Sequence, residues 1–419
     1  MNIKNILFEQ KLELNEIMNK KNIIPRDIIN QFDQIRESNL AKIVTGIRRS
    51  GKSTLLYLLL KDKDYGYINF DDINLYGRDA SEIFNSFIEL YGNVKYVFLD
   101  EIQNLTGWEL FVNNLQKTYN VFITGSNSKL LSSELSSSLT GRHIQIQLFP
   151  FNFKEFIKYK NNLDTATNRG KNIIKNNLTF YMENGGFPEI LIENESRNVY
   201  LTQLYRDIIE KDIIIRFNIN HKRTYIDIVN FIMNAYTGYI SYNKVKNKFN
   251  VGSVHTVKNY INYLEESHLV FFLDKFSYKE IEIEKSVKKV YLIDNGFIQI
   301  INRNSSDLGK SLENVIAINL KQLSLENNFN IYYWKDYNNN EVDFIIKMGI
   351  EIKLLMQVTY AMDEKDISMR EIRALIQASD ILRCDNLVII TWDYSEIKVF
   401  NDKKINFIPA WQWLLTPNI

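Results

Sequence analysis

One cysteine, Cys384, five prolines and four histidines in 419 residues exclude several classes of protein at the outset. A lone thiol can form neither a disulfide framework nor a cysteine-based zinc site. His143, His221, His255 and His268 are too scattered to suggest a histidine metal cluster. An excess of one charge is also missing: 51 Lys and Arg face 50 Asp and Glu, for a net charge of +1. No global pull toward nucleic acid or membrane follows, so any such site must be local. The longest apolar runs, such as Leu55 to Leu60, fall far short of a bilayer span. The N-terminal stretch mixes charges throughout and has no apolar centre, so it is not a signal peptide. These absences predict a cytoplasmic protein with no membrane partner. What remains is 45% hydrophobic residues and 24% charged ones in a chain long enough for about two to four domains, each with its own core.

Residues 1–36 read as a helical extension broken at Pro25. From 37 to 150, apolar strand candidates alternate with helical stretches: AKIVTG, YGYINF, VKYVFLD, NVFITG and HIQIQLF. This is the pattern of an α/β layered domain with a largely parallel sheet. Residues 151–220 carry a 3.6-residue period and read as a helical lid. Three helices and a hairpin are expected over 221–288, and mixed strands and helices over 289–419.

Within the first α/β stretch, Gly46 to Thr54 reads GIRRSGKST, a complete G-x-x-x-x-G-K-S. It follows a strand and opens a helix, the context the motif requires. Gly46 and Gly51 let the backbone curl, so that its N–H groups, including those of Arg49 and Ser50, face a phosphate chain. The helix that follows, with Thr54 in its first turn, presents its N-terminus to the anion. Lys52 is placed to neutralise β- and γ-phosphate charge, and the Ser53 hydroxyl to ligate Mg²⁺. The cofactors expected are therefore ATP and Mg²⁺.

The strand Tyr96–Leu99 ends in two acids, Asp100 and Glu101. Asp100 is expected in the Mg²⁺ shell, and Glu101 beside the water that attacks the γ-phosphate. The next strand ends in Thr124, Ser126 and Asn127, which read equally as a polar turn or as groups that orient the water. Arg142 reads either as a solvated arginine or as a charge-stabiliser, acting in cis or from a neighbouring subunit of a homo-oligomer.

Together, GIRRSGKST, YVFLDEIQN, ITGSNSKLL, SLTGRHIQIQLFPFNFKEF, YMENGGFPE and YLIDNGF resemble a family of predicted AAA-type P-loop ATPases. Members of that family, widespread in archaea and bacteria, join an ATPase module to a C-terminal domain of uncharacterised function. The resemblance implies ATP binding and hydrolysis. The string GGFPE is also similar to a Gly-x-Pro feature of signal-transduction ATPases, in which a lid proline contacts adenine. Carried over, this would place Pro188 at the base; a plain helix-ending turn is the competing reading.

Helix, glycine-containing turn, helix and hairpin over 221–288 form a winged helix-turn-helix pattern. Residues 241–260 hold Lys244, Lys246, Lys248 and Lys258 and no acid, and Ser253, His255 and Asn259 share the third helix with Lys258. DNA is one partner this would fit; a protein partner is the other. The C-terminal stretch resembles the core of restriction-type nucleases, with Glu313 on a helix and Asp343 on a strand. Two alignments compete for the Glu-x-Lys element of such a site. Glu351-Ile352-Lys353 begins eight residues past Asp343, and Gln357-Val358-Thr359 begins fourteen past it. The second spacing is favoured; it leaves Gln357 and Thr359 where Glu and Lys belong, and hence a degraded site. The leading expectation is an ATPase switch or motor coupled to a DNA- or protein-binding winged helix. An ATP-regulated metal-dependent nuclease and a non-hydrolysing nucleotide-sensing scaffold are the alternatives.

Overall fold

The computed structural model describes residues 2–20, 23–126, 141–160, 164–193, 196–301 and 307–417. The chain forms two compact units, residues 1–151 with 266–268, and residues 152–265 with 269–419.

The first unit holds β1 (Ala41–Thr45), β2 (Tyr65–Asn69), β3 (Tyr96–Asp100), β4 (Asn120–Gly125) and β5 (His143–Gln147). They pair in the order β2-β3-β4-β1-β5, every pair parallel. Strands buried on both faces read as near-continuous apolar runs, as β3 and β4 do, whereas the edge strand β5, HIQIQ, alternates and is only part-buried. Alternate residues then feed opposite cores. Ile43, Val97, Leu99, Val121 and Ile123 join one cluster. Val44, Phe98 and Phe122 join the other, with Leu55 and Leu56 of the helix Lys52–Leu60. The N-terminal helix Ile3–Lys20 covers the β2 edge. There the Gln10 amide accepts from Asn69 N–H at 2.9 Å and donates to Asn69 O at 3.1 Å. A side-chain amide thus satisfies edge backbone that a neighbouring strand would otherwise pair.

The second unit begins with the helices Phe153–Tyr159, Asn168–Asn184, Pro188–Glu193 and Arg197–Asp207, the last running on into a π-helical stretch, Ile208–Ile215. After the helix Lys222–Asn234 come β6 (Tyr239–Ile240), the helices Tyr242–Lys248 and Val254–Glu266, β7 (Val270–Lys275) and β8 (Lys288–Leu292). The hairpin expected immediately after residue 269 is longer than the sequence suggests. Its second strand is β8, reached through a short helix, Glu280–Lys285. The boundary expected between 288 and 289 therefore falls inside a strand. β9 (Asn330–Lys335), β10 (Glu341–Met348), β11 (Glu351–Val358), β12 (Leu387–Thr391), β13 (Glu396–Phe400) and β14 (Lys403–Pro409) complete the unit. One nine-stranded sheet runs β13-β14-β12-β11-β10-β9-β7-β8-β6. β7 pairs in parallel with β9 through Asp274↔Tyr332 and Lys275↔Tyr333, so the hairpin is continuous with the C-terminal sheet.

The strings GGFPE and YLIDNGF meet in this unit. Asp294 is buried, and its carboxylate accepts from Gly186 N–H at 2.7 Å and Gly296 N–H at 2.8 Å. Gly185 has φ +76°, and a Cβ there would lie 1.8 Å from Asp294 Oδ1, so only glycine fits. The two glycines thus have a structural role. Burial pushes the Asp294 carboxyl up to about 7. Asp294→Ala is expected to cost about 2–4 kcal/mol in urea unfolding, because it leaves two buried N–H groups unpaired. A loss below about 0.5 kcal/mol, the range of an ordinary surface change, would show that this carboxylate does not hold the junction.

Candidate functional site

The phosphate loop joins the C-terminal end of β1 to the helix Lys52–Leu60. Gly46 has φ +142°, and a Cβ on it would sit 2.1 Å from Leu148 O, so the chain passes β5 with no room for a side chain. Arg49 takes a left-handed conformation at the exposed crest of the loop, φ +69°. The Lys52 ammonium is buried within the arc and donates to Gly46 O and Ile47 O, each at 3.1 Å. Arg26, from the N-terminal extension, braces the loop from below. It donates to Ser50 O at 3.1 Å and Phe149 O at 2.9 Å, and lies 4.6 Å over the Phe151 ring. Sequence reading did not single it out, because nothing local marks an arginine whose partners lie 24 and 123 positions away.

The acid pair stands beside the loop. Ser53 Oγ donates to Asp100 Oδ1 at 2.9 Å, Thr124 Oγ1 donates to the same oxygen, and Tyr67 OH reaches Oδ2 at 3.3 Å. Burial, with the Glu101 charge next to it, pushes the Asp100 carboxyl up to about 6. Glu101 sits at φ +50°, a left-handed conformation that costs a non-glycine residue about 1–2 kcal/mol. Its Oε2 accepts from Ser126 N–H at 3.2 Å and from the Gln103 amide, and its own N–H donates to Thr124 Oγ1 at 3.1 Å. Burial alone would raise the Glu101 pKa. Lys52, Gln103, Arg48 and the Ser126 N–H outweigh it and hold the carboxyl below its ordinary value. Glu101 is therefore ionised at neutral pH, as a base must be.

Ser53 Oγ and an Asp100 oxygen form a hard-oxygen pair close to the Lys52 charge. Ser50 Oγ is buried with no hydrogen-bond partner among the described residues. This donor set fits Mg²⁺ with an anionic phosphate chain. Thr54 lies in the first turn of the loop helix, half-buried. Tyr67 is an addition the structure makes to the expected residues, and Thr124, expected as a polar group at its strand end, bonds both acids.

One expected residue, Arg142, does not join this cluster. Asn127 lies outside the described residues. Arg142 precedes β5, and its carbonyl accepts from Ala41 N–H at 3.0 Å. It is thus level with the start of β1, while the loop follows the end of that strand. At a rise of about 3.3 Å per residue the two are about 17 Å apart, beyond the reach of an arginine in cis. Pro188 belongs to the second unit and opens the helix Pro188–Glu193, a position that suits its missing N–H.

The nuclease-like residues separate along one strand. Both candidate triplets begin in β11, which pairs antiparallel with β10 through Phe344↔Met356 and Met348↔Glu351. Glu351 and Lys353 lie near the exposed tip, paired with each other. Asp343 is at the opposite end, about 17 Å away by strand rise. Its Oδ2 accepts from Val358 N–H at 3.0 Å. The later triplet is therefore the one beside Asp343. Gln357 is buried there, and Thr359 follows the strand and bonds Glu371. Glu313, on the helix Leu308–Asn327, also reaches this centre. The expectation that the centre lacks a lysine is corrected. Lys289 of β8 supplies one, bonded to Glu313, Glu341 and Asp343. Among the described residues, no group of three or more His, Cys, Asp or Glu is placed to hold a metal ion. No described helix is long and apolar enough to cross a membrane.

Comparison with known proteins finds three family models along the chain. One family model, described as an AAA domain, matches residues 38–157. Two described as domains of unknown function match 175–308 (DUF8612) and 308–413 (DUF4143). An uncharacterized protein of Methanocaldococcus jannaschii, MJ1544, is 36% identical over 439 residues, spanning 99% of this chain and 96% of its own length. An uncharacterized protein of Haemophilus influenzae is 26% identical, over 94% of this chain and 99% of its own. Among solved structures, a STAND protein with a tetratricopeptide repeat sensor from Pyrococcus horikoshii is 13% identical with a TM-score of 0.29, covering 71% of this chain and 45% of that one. Cdc6p from Pyrobaculum aerophilum is 13% identical with a TM-score of 0.30, covering 61% and 91%.

Proposed function

The chain belongs to the family of MJ1544, in which an AAA domain is joined to C-terminal domains of unknown function, and from that premise we propose that it is a Mg²⁺-dependent ATPase working as a switch or motor. The observation that carries this is the meeting of Ser53, Asp100 and an ionised Glu101 at the phosphate loop. The loop N–H groups and Lys52 bind and orient the phosphates. Ser53 and Asp100 would hold Mg²⁺, which would supply charge neutralisation to the phosphates. Thr124 fixes both acids by donating to Asp100 and accepting from the Glu101 N–H. The Glu101 carboxylate orients the attacking water and takes its proton. An intact Glu101 argues against a non-hydrolysing scaffold.

The helices Lys222–Asn234, Tyr242–Lys248 and Val254–Glu266, with the β6-β8-β7 strands, support a winged helix. Lys244, His255 and Lys258 are exposed on it, which suits a DNA backbone. The convergence of Glu313 and Asp343 supports a restriction-nuclease-like fold for the C-terminal part. Arg142, exposed and distant in cis, serves the site only from a neighbouring copy in a homo-oligomer. ATP turnover measured with and without duplex DNA tests this coupling. Stimulation by DNA is expected, whereas a rate unmoved by DNA assigns the winged helix to a protein partner.

Turnover also carries a pH signature. Asp100 must be ionised to serve as a ligand, so turnover at limiting Mg²⁺ is expected to fall as the pH drops from 7 through about 6. Excess Mg²⁺, competing with the proton, moves the fall to lower pH. The fold itself responds in the opposite sense. Folding favours the neutral carboxyl, so the contribution of Asp100 to stability is greatest at low pH and is lost as the pH rises through about 6. A flat rate profile from pH 7 to 5 at limiting Mg²⁺ counts against Asp100 as a ligand.

A further inference from the structure

Lys289 lies on β8 between the part-buried Lys288 and the buried residues Val290 to Leu292. Its side chain is only 2% exposed, and Nζ lies 2.8 Å from Glu313 Oε1, 2.9 Å from Glu341 Oε1 and 2.8 Å from Asp343 Oδ1. An ammonium has three N–H donors, and here each finds a different carboxylate. The acids come from the helix Leu308–Asn327 and from β10, while the cation comes from the hairpin strand β8. Tyr291 OH adds a bond to Glu313 Oε1 at 2.8 Å. Carboxylates this buried persist only around a cation or when protonated.

We infer that the Lys289 ammonium does the work of a bound divalent cation: it holds three converging carboxylates together and closes the centre to metal ions and to phosphodiesters. Three oxygens at 2.8–2.9 Å from one point need to close by only about 0.2–0.6 Å to ligate Ca²⁺ at its usual 2.3–2.6 Å. The three oxygens thus come close to metal-ligand range, but with the lysine at their focus they form no open metal site, in keeping with the absence of one among the described residues. Charge points the same way. One positive charge faces three acids, and burial pushes Glu313 up to about 7 and raises Asp343 as well. Burial would also raise Glu341, but Lys289 outweighs it and holds that group down. For Lys289 itself, Asp343, Glu313 and Glu341 overcome the cost of burial and hold it well above the ordinary lysine value. The ammonium is thus charged at neutral pH. The side chains of Lys289, Asp343 and Glu313 are 2%, 7% and 13% exposed, so a DNA phosphate could approach only past Glu341, 25% exposed, and would meet its charge there. This inference does not depend on the ATPase reading.

The test is cation rescue in the full-length, nucleotide-free chain. Lys289→Met removes the charge and keeps much of the volume. In metal-free buffer this variant is expected to melt well below wild type. Millimolar Ca²⁺ is expected to raise its midpoint by about 5 °C or more, through binding to the folded form alone. Wild type should not respond, and Lys289→Met/Glu313→Gln should lose the rescue. A folded Lys289→Met that ignores Ca²⁺ overturns the inference, as does a variant that folds neither with nor without Ca²⁺. A second measurement needs no lysine variant. Wild type with Mn²⁺ and supercoiled plasmid is expected to leave the plasmid intact. Nicking that disappears in Asp343→Asn would show that Lys289 leaves the centre open.

Discussion

Lys52→Ala is expected to weaken ATP binding by about 100-fold or more while leaving the fold intact. Two charge-assisted contacts to phosphate oxygens are lost, each worth about 1.5–3 kcal/mol, and every 1.4 kcal/mol is a factor of ten in affinity. The fold should survive because the ammonium bonds only loop carbonyls, Gly46 O and Ile47 O, which alanine leaves beside a polar cleft. The loop keeps its shape from elsewhere. The close pass of Gly46 to Leu148 and the grip of Arg26 on Ser50 O are both independent of Lys52. Titration with a fluorescent ATP analogue, alongside circular dichroism of the same sample, separates binding from folding. Unchanged affinity in a folded variant would remove the phosphate-loop assignment.

How much could be read from the sequence differs sharply between the two units. In the first, the chemistry is written in contiguous strings. A phosphate loop is one turn, and an acid pair is one strand end, so spacing alone identifies both. Even there, what holds Asp100 in place escapes a linear reading. Tyr67 lies on β2, and its hydroxyl reaches Asp100 only because β2 pairs with β3 in the register Tyr67↔Phe98. Arg142 shows the converse. Its place in a motif-like string suggested the site, whereas parallel strand register puts it at the wrong end of the sheet.

In the second unit the informative contacts are between distant segments. The helix order over 222–266 was visible in the 3.6-residue period and so was a hairpin after it, but not the hairpin's length, because its strands are separated by the helix Glu280–Lys285. Nor does any local pattern announce that β7 will pair with β9, across 58 positions at Asp274↔Tyr332. The nuclease-like reading chose Gln357 and Thr359, which flank the Val358 N–H that donates to Asp343 Oδ2 at 3.0 Å, and did not include the cation. The signal for Lys289 was present: a charged residue immediately before the apolar run Val290 to Ile293, next to a second lysine, Lys288. On an edge strand such a lysine is a solvated guard. On β8, flanked by β7 and β6, it has to find acids or stay out of the core, and only the fold says which acids.

Glu101→Gln is expected to bind ATP with Mg²⁺ as wild type does and to lose about 10²- to 10⁴-fold in turnover, the range for removing a positioned base. The substitution should be nearly silent structurally. Ser126 N–H and the Gln103 amide both donate to one carboxylate oxygen, Oε2. The amide can present its carbonyl oxygen to that pair and turn its NH₂ toward the phosphate side. The backbone there is held separately by the bond from Glu101 N–H to Thr124 Oγ1 at 3.1 Å, so the left-handed conformation at φ +50° is preserved. The amide cannot accept the proton of the attacking water, whereas the wild-type carboxylate, held ionised chiefly by Lys52 against its burial, can. Single-turnover measurement of phosphate release, with nucleotide affinity determined on the same preparation, distinguishes the two steps. A variant that hydrolyses at the wild-type rate would leave Glu101 as a structural acid and require the base to be sought elsewhere. A variant that loses ATP affinity as well would mean that its charge helps to organise the Ser53–Asp100 pair, whose hydrogen bond at 2.9 Å lies directly beside it in the sequence of contacts from Thr124.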